Sequence, residues 1–260
     1  MRAANRRKKK KKESRKRPGC LGRLFRFGAG LAAILLLAVA GAAGWWYLTW
    51  PAVGLLARQN PETTAFVEQR IGQAGRSAVR WSPVSGEAIS DQLRIAVLVA
   101  EDIGFFDHQG FARDEIEAAL RDTIEKRKPL RGASTITQQL AKNLWLSPSR
   151  NPLRKLREAL LTMDLERTLS KERILDLYLN VAEFGPGVFG AEAASRHFFG
   201  KPAAGLSAEE AAGLAAGLSR PSQWHPGCGS EYYRKHVGTI RQRMAKARGL
   251  PFDTDSSSSR

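Results

Sequence analysis

From Phe27 to Trp50 the chain runs for 24 residues without a charge, and its centre, Leu31 to Ala40, contains only Leu, Ala, Ile and Val. At helical rise such a stretch spans about 36 Å, enough to cross a bilayer with some tilt. It predicts a single transmembrane helix, which separates a short N-terminal arm from a much longer C-terminal part. Trp45, Trp46, Tyr47 and Trp50 gather at its far end like an interfacial aromatic belt. The basic residues near the span all precede it, so the positive-inside rule places the N-terminus in the cytoplasm. The small residues Ala40-Gly41-Ala42-Ala43-Gly44 also offer a signal-peptide cleavage site. A run this long that ends in aromatics favours an uncleaved anchor.

The formal net charge of +17 suggests a nucleic-acid binder until it is located. Of the 42 Lys and Arg, 13 lie in residues 1–26 against one acid, Glu13, leaving 29 basic and 24 acidic residues behind them. The basic arm is suited to anionic lipid, at roughly 1 kcal/mol per residue close to the surface. Nucleic-acid recognition would need basic residues interleaved with aromatics beyond the arm, a pattern not seen, so no nucleic-acid partner is expected. Cys20 and Cys228 flank the apolar segment, which makes a disulfide between them within one chain implausible. The expected organisation is a basic cytoplasmic arm over 1–26, the membrane helix over 27–50 and a stalk over 51–80. One folded domain over 81–248 and a disordered tail over 249–260 complete it.

Inside the stalk one helix is expected around Thr63 to Ile71. Ser90 reads as the N-cap of a helix from Asp91 to about Glu101, covered so broadly with apolar residues that it belongs in a core. Glu101-Asp102-Ile103-Gly104-Phe105-Phe106-Asp107-His108-Gln109-Gly110 comes at its end. A buried helix that delivers Glu101 to its last turn raises the pKa of that carboxylate by desolvation, which makes it a candidate general base. The plainer alternative is a solvated helix end and a turn histidine. A more polar helix is expected around Arg113 to Lys126.

Arg131 to Asn143 forms a second unusual run. On a helical wheel of about 100° per residue, Ser134, Thr135, Gln138, Gln139 and Lys142 share one side, and Ile136, Leu140 and Leu144 the other. The polar side is an uncharged hydrogen-bonding strip with one cation, suited to sugar hydroxyls and a phosphate oxygen. Asn151-Pro152 signals a helix start, and Arg154, Lys155 and Glu158 then fall on one face. Lys171 to Asn180 reads as an amphipathic helix, Ser207-Ala208-Glu209-Glu210 as a capping box, and Glu231 to Arg248 as a basic final helix.

These runs together resemble the peptidoglycan glycosyltransferases, the family that includes the glycosyltransferase domain of class A penicillin-binding proteins. Glu101, Asp102, Phe105, His108 and Gly110 match its first motif, Glu-Asp-x-x-Phe-x-x-His-x-Gly. Gly132, Ser134, Thr135, Thr137, Gln138, Gln139, Lys142 and Asn143 are similar to the second. Arg154-Lys155-Leu156-Arg157-Glu158 resembles the third, and Arg150 matches a basic position of the pyrophosphate site. The segments from Lys171 to Lys201 and from Leu206 to Ala215 resemble the fourth and fifth. The resemblance covers about residues 81–221.

The resemblance implies a mainly α, lysozyme-like domain preceded by one transmembrane helix. It implies a monofunctional enzyme that polymerises lipid II into glycan strands with inversion, releasing the polyprenyl pyrophosphate carrier. No room remains in these residues for a transpeptidase domain. Glu101 would be the base and Glu158 the second functional carboxylate. Asp102, Ser134, Thr135, Gln138, Gln139, Lys142, Arg150, Arg154 and Lys155 would bind substrate. Glu158 would either hold a divalent cation, Mg2+ or Mn2+, that bridges the pyrophosphate, or orient the basic residues. The implied partners are lipid II, the nascent strand, membrane lipids and other cell-wall synthesis or division proteins. The implied place is the cytoplasmic (inner) membrane, with the catalytic domain on its outer, periplasmic side. A peptidoglycan-cleaving enzyme of similar fold is the alternative, which the cations disfavour because a neutral glycan has no pyrophosphate. A non-catalytic scaffold would lack a motif glutamate or lysine, and none is missing.

Overall fold

The computed structural model describes residues 20–112, 134–147, 149, 151–247 and 250–252. The helix expected over 113–126, Arg150 and nearly all of the expected tail lie outside the described residues. The chain divides into two compact units, Met1–Pro51 and Ala52–Arg260.

In the first unit the described residues form one helix, α1 (Cys20–Leu48). It begins before Phe27 and so carries Arg23 and Arg26 on its first turns. Leu31, Ile34, Leu36 and Leu37 keep 61–72% of their surface exposed. A helix that is apolar all round and buried against nothing has the length and composition to cross a membrane.

The second unit contains eight helices among the described residues: α2 (Ala65–Ala74), α3 (Asp91–Glu101), α4 (Ile136–Trp145), α5 (Pro152–Thr168), α6 (Lys171–Val181), α7 (Ala191–Phe199), α8 (Ala208–Gly217) and α9 (Glu231–Lys246). The sequence expectation of a mainly α domain holds, with one addition. Three very short strands, β1 (Arg80–Trp81), β2 (Glu183–Gly185) and β3 (Val188–Phe189), pair in the order β1-β3-β2, parallel then antiparallel. Strands of two or three residues carry no readable alternation, so no pattern in the sequence announces them.

Residues 52–80 are not a stalk. Val53, Leu56 and Val67 are 2–7% exposed. The guanidinium of Arg173 on α6 donates to the carbonyl oxygens of Leu56 and Gln59 at 2.7 and 2.8 Å. The Pro, Gly and charged residues that suggest a linker decorate a folded segment that buries its few apolar side chains. Its α2 starts at the Thr64 cap, close to the position expected from the sequence.

Helix starts match the caps written in the sequence. Ser90, Asn151, Ser170, Ser207 and Ser230 each accept a backbone N–H of the first turn of α3, α5, α6, α8 and α9. Helix α3 is the centre of the domain, with Leu93, Ala96, Val97 and Leu98 completely buried. It packs against α8 and α9, while α4 packs against α5 and α6. Buried Arg94 ties α3 to α6 through Asp176 at 2.6 Å, and donates a second bond to the Gly86 carbonyl at 2.7 Å. The polar motifs lie where the end of α3 meets α4 and α5.

Candidate active site

Glu101 closes the last turn of α3. Its Oε2 accepts a hydrogen bond from Gln139 Nε2 on α4 at 2.8 Å. Burial raises its pKa; the Gln139 bond and the charge of Lys142 act against the rise, and neighbouring Asp102 adds to it. Desolvation wins, so the carboxyl holds its proton more tightly than an exposed glutamate.

Asp102 faces the other way. It is 3% exposed, and its Oδ2 accepts the backbone N–H of Ile136, the first residue of α4, at 3.0 Å. Its carboxylate also accepts from His108 Nε2 at 2.9 and 3.1 Å. Gly110 N donates to His108 Nδ1 at 3.1 Å, so the neutral ring carries its proton on Nε2. Asp102 thus joins the first motif to the second by satisfying an orphan donor at a helix N-terminus.

The loop closes through Gly110, which sits at φ +83°. A Cβ there would lie 2.7 Å from the Thr162 methyl and 3.0 Å from Glu166 Cγ. Gly110→Ala is therefore expected to destabilise the domain by about 3 kcal/mol, from backbone strain plus overpacking. Thermal unfolding should show a Tm drop of roughly 6–12 °C.

Helix α4 begins at Ile136, so the polar strip drawn on a continuous helix from Ser134 breaks at its start. Thr135 is the N-cap, and Thr135 with Gln138 forms a reciprocal capping box. Thr135 Oγ also donates to the Gly110 carbonyl at 2.7 Å. Both residues are buried, at 2% and 6% exposure, and serve the junction of the two motifs. Thr135-Ile136-Thr137-Gln138 carries the capping-box spacing, and that spacing is the signal for this arrangement. Ser134 is exposed just before the helix. Gln139 and Lys142 remain to face the carboxylates.

The third group sits on α5. Glu158 is 3% exposed, and Arg154 Nη1 donates to its Oε2 at 2.8 Å while Lys155 Nζ donates to its Oε1. Arg154 Nε is buried with no hydrogen-bond partner among the described residues. Lys142 stands between the two acids electrostatically. Burial lowers its pKa first; Glu158 and then Glu101 pull it up, and Arg154 and Lys155 push it down. The Lys142 ammonium also lies 5.9 Å from the Phe66 ring centre. The arrangement offers a base with a raised pKa beside three clustered cations, around one buried counter-charge.

A family model described as transglycosylase matches residues 68–245. The chain belongs to that family. Its similarity extends to whole relatives: the biosynthetic peptidoglycan transglycosylase of Azoarcus sp. (strain BH72) is 43% identical over 85% of this chain and 97% of its own length. The protein of the same name from Rhodospirillum centenum is 44% identical over 86% and 92%, and that from Alcanivorax borkumensis is 44% identical over 82% and 85%. In this transglycosylase the matched region starts inside α2, in agreement with the folded state of residues 52–80.

Two residues beside this candidate site carry no site signal in the sequence. Phe66 stands beside Lys142, from a segment that reads as linker. Tyr178 reads as part of the scaffold helix α6, yet its hydroxyl donates to Gln139 Oε1 at 3.0 Å. No local pattern marks either, because both are brought to the site by packing between distant segments.

A divalent cation held by the protein alone at Glu158 does not fit the residues present. Both of its carboxylate oxygens are committed to Arg154 and Lys155, and no cluster of three or more metal-ligating side chains exists among the described residues. The surrounding charges are positive, which opposes cation capture. The Glu158 carboxylate is instead in contact with Arg154 and Lys155.

Proposed function

We propose that this transglycosylase polymerises lipid II into peptidoglycan glycan strands at the outer face of the cytoplasmic membrane, anchored by α1 with its N-terminus inside. The observation that carries the reading is the pairing of Glu101, with its raised pKa, with the cation group Lys142, Arg154 and Lys155. A hydroxyl nucleophile needs a proton acceptor, and a pyrophosphate leaving group needs charge neutralisation more than protonation. A glycan hydrolase would use only the first of these.

In the reaction the acceptor sugar hydroxyl attacks the anomeric carbon of the donor. Its proton passes to Glu101 as the new glycosidic bond forms. The bond to the polyprenyl pyrophosphate breaks on the opposite face, which inverts the anomeric configuration. Lys142, Arg154 and Lys155 receive the departing charge. Glu158 keeps these cations gathered before the donor binds. Both substrates carry lipid tails, so a membrane anchor confines the search to one surface.

Because Glu101 must be ionised to act, activity falls as pH drops through its raised pKa. The acid limb of kcat/KM is expected above the ordinary glutamate value of 4.5. A pH–rate profile with lipid II measures it, and a limb at or below that value would remove Glu101 from the role of base.

The deciding experiment incubates the detergent-solubilised full chain with labelled lipid II, with and without a divalent cation, and sizes the product. Long strands that a muramidase digests are expected. Shortening of preformed strands without polymer from lipid II would transfer the assignment to a glycan-cleaving enzyme. Polymerisation that persists in chelator is expected if Glu158 acts through the basic residues.

A further inference from the structure

Tyr178 is 1% exposed on α6, and among the described residues its hydroxyl has one polar partner, Gln139 Oε1. An amide oxygen only accepts, so the phenol donates. The Glu101 carboxylate accepts only, so it sets the NH2 end of the Gln139 amide toward itself, and the phenol tethers the oxygen end to α6. With Oε1 held by Tyr178, the NH2 end donates to Glu101 Oε2 at 2.8 Å and lies 3.4 Å from the Ser134 carbonyl oxygen. Glu101 Oε1 is left without a hydrogen-bond partner among the described residues, available to an incoming hydroxyl.

We propose that Tyr178 is a positioning residue of the transfer reaction: acting through Gln139, it holds Glu101 with one oxygen hydrogen-bonded and the other free to take the acceptor's proton. This inference rests on Glu101 being the base. Without the phenol, the Gln139 side chain loses its tether to α6 and donates less well to Glu101. The Gln139 bond lowers the Glu101 pKa, so weakening it favours the protonated acid, which cannot serve as a base.

The other charges facing Glu101 do not supply this orientation. Asp102 is its neighbour in sequence but is turned toward Ile136 and His108, and Lys142 on α4 acts as a charge without fixing the amide. From α9 the Arg243 guanidinium reaches the Val99 carbonyl, and on α8 Glu209 and Glu210 are paired with Arg241 and Lys201. The phenol is pushed well above its ordinary value by burial, then by Glu101 and Asp102, so it stays a donor wherever the enzyme works.

Tyr178→Phe keeps the ring and removes only the hydroxyl. With lipid II, kcat at neutral pH should fall about tenfold, KM should stay within about twofold, and the acid limb should move up by about one pH unit. Gln139→Leu, at a partly exposed position, should move the limb in the same direction. Adding Tyr178→Phe to it should cost nothing more, because both changes break one link. A Tyr178→Phe profile that overlays the wild type, or losses in the two variants that multiply, would overturn the proposal in favour of simple packing.

A second readout does not depend on turnover. Carbon-13 NMR of labelled glutamate in the full chain tracks the Glu101 carboxyl, identified by its loss in Glu101→Gln. An upward shift of its titration in Tyr178→Phe is expected. If wild-type enzyme makes no polymer but the titration still moves, the polymerase reading fails and the positioning link stands. If wild type polymerises and the titration stays, the link fails alone. Should Tyr178→Phe not fold, an unmoved Glu101 titration in Gln139→Leu would overturn the proposal equally.

Discussion

Glu101→Gln is expected to lower turnover by about 10²–10⁴-fold, the usual share of a positioned general base. Binding of a donor analogue that carries the pyrophosphate should stay within about twofold, because the cations that meet it lie on α4 and α5. The amide matches the carboxylate in size but cannot take a proton. Fold stability adds an independent check with a definite sign. The folded protein raises the pKa of this acid, so native Glu101 binds its proton more tightly than unfolded Glu101 does. The ionised form therefore costs stability, and the cost grows as pH rises from the ordinary value through the folded one. Glutamine carries no such cost. At pH 8 the variant should melt at or above the wild-type temperature. Loss of melting temperature and analogue binding together with turnover would assign Glu101 a structural role.

Lys142→Ala is expected to weaken the affinity for the same analogue by about 10–100-fold, the worth of one charge-assisted hydrogen bond. Lys142 feels the charge of both carboxylates and lies beside the Phe66 ring. A desolvated ammonium interacts with pyrophosphate more strongly than an exposed one. The variant should also shift the acid limb upward, since the Lys142 charge lowers the Glu101 pKa. Isothermal titration with a phosphoglycolipid inhibitor that mimics the donor measures the first effect, and a pH–rate profile the second. Lys155→Ala, at a side chain 54% exposed, serves as the comparison and should cost less. An unchanged dissociation constant in Lys142→Ala would sink the pyrophosphate role.

Much of this site is legible in one dimension because its chemistry is carried by residues on three helices, two of which have caps read directly from the chain. Ser90 and Asn151-Pro152 mark two starts, and the apolar spread of residues 93–100 marks α3 as central. The acid at the end of a buried helix and the Arg154-Lys155-Glu158 face can be read from helical spacing alone. The apolar helix α1 is equally legible, since a long uncharged apolar run is read directly from composition.

Other features depend on partners that no local pattern names. The segment 52–80 looks like a linker because its inward-facing residues are few, yet Arg173, more than a hundred residues later, holds its backbone. Thr135 and Gln138 look like substrate ligands on a wheel, and Asp102 does so by family resemblance, but the fold uses all three to join two motifs at the start of α4. Whether a polar side chain faces substrate or an orphan backbone N–H depends on where a helix begins and what crosses it.

The long apolar helix, the caps of several helices, the identity of the acids and cations, and the family they resemble can all be read from the chain before it folds. Each of these is a property of composition or of spacing along one element. Packing between distant segments is what brings Glu101 to Gln139 and Gln139 to Tyr178. The same packing makes Lys142 serve two acids, and the built helix shows Glu158 occupied by Arg154 and Lys155. Desolvation and through-space charge depend on which surfaces come together, and that information is nonlocal in the chain.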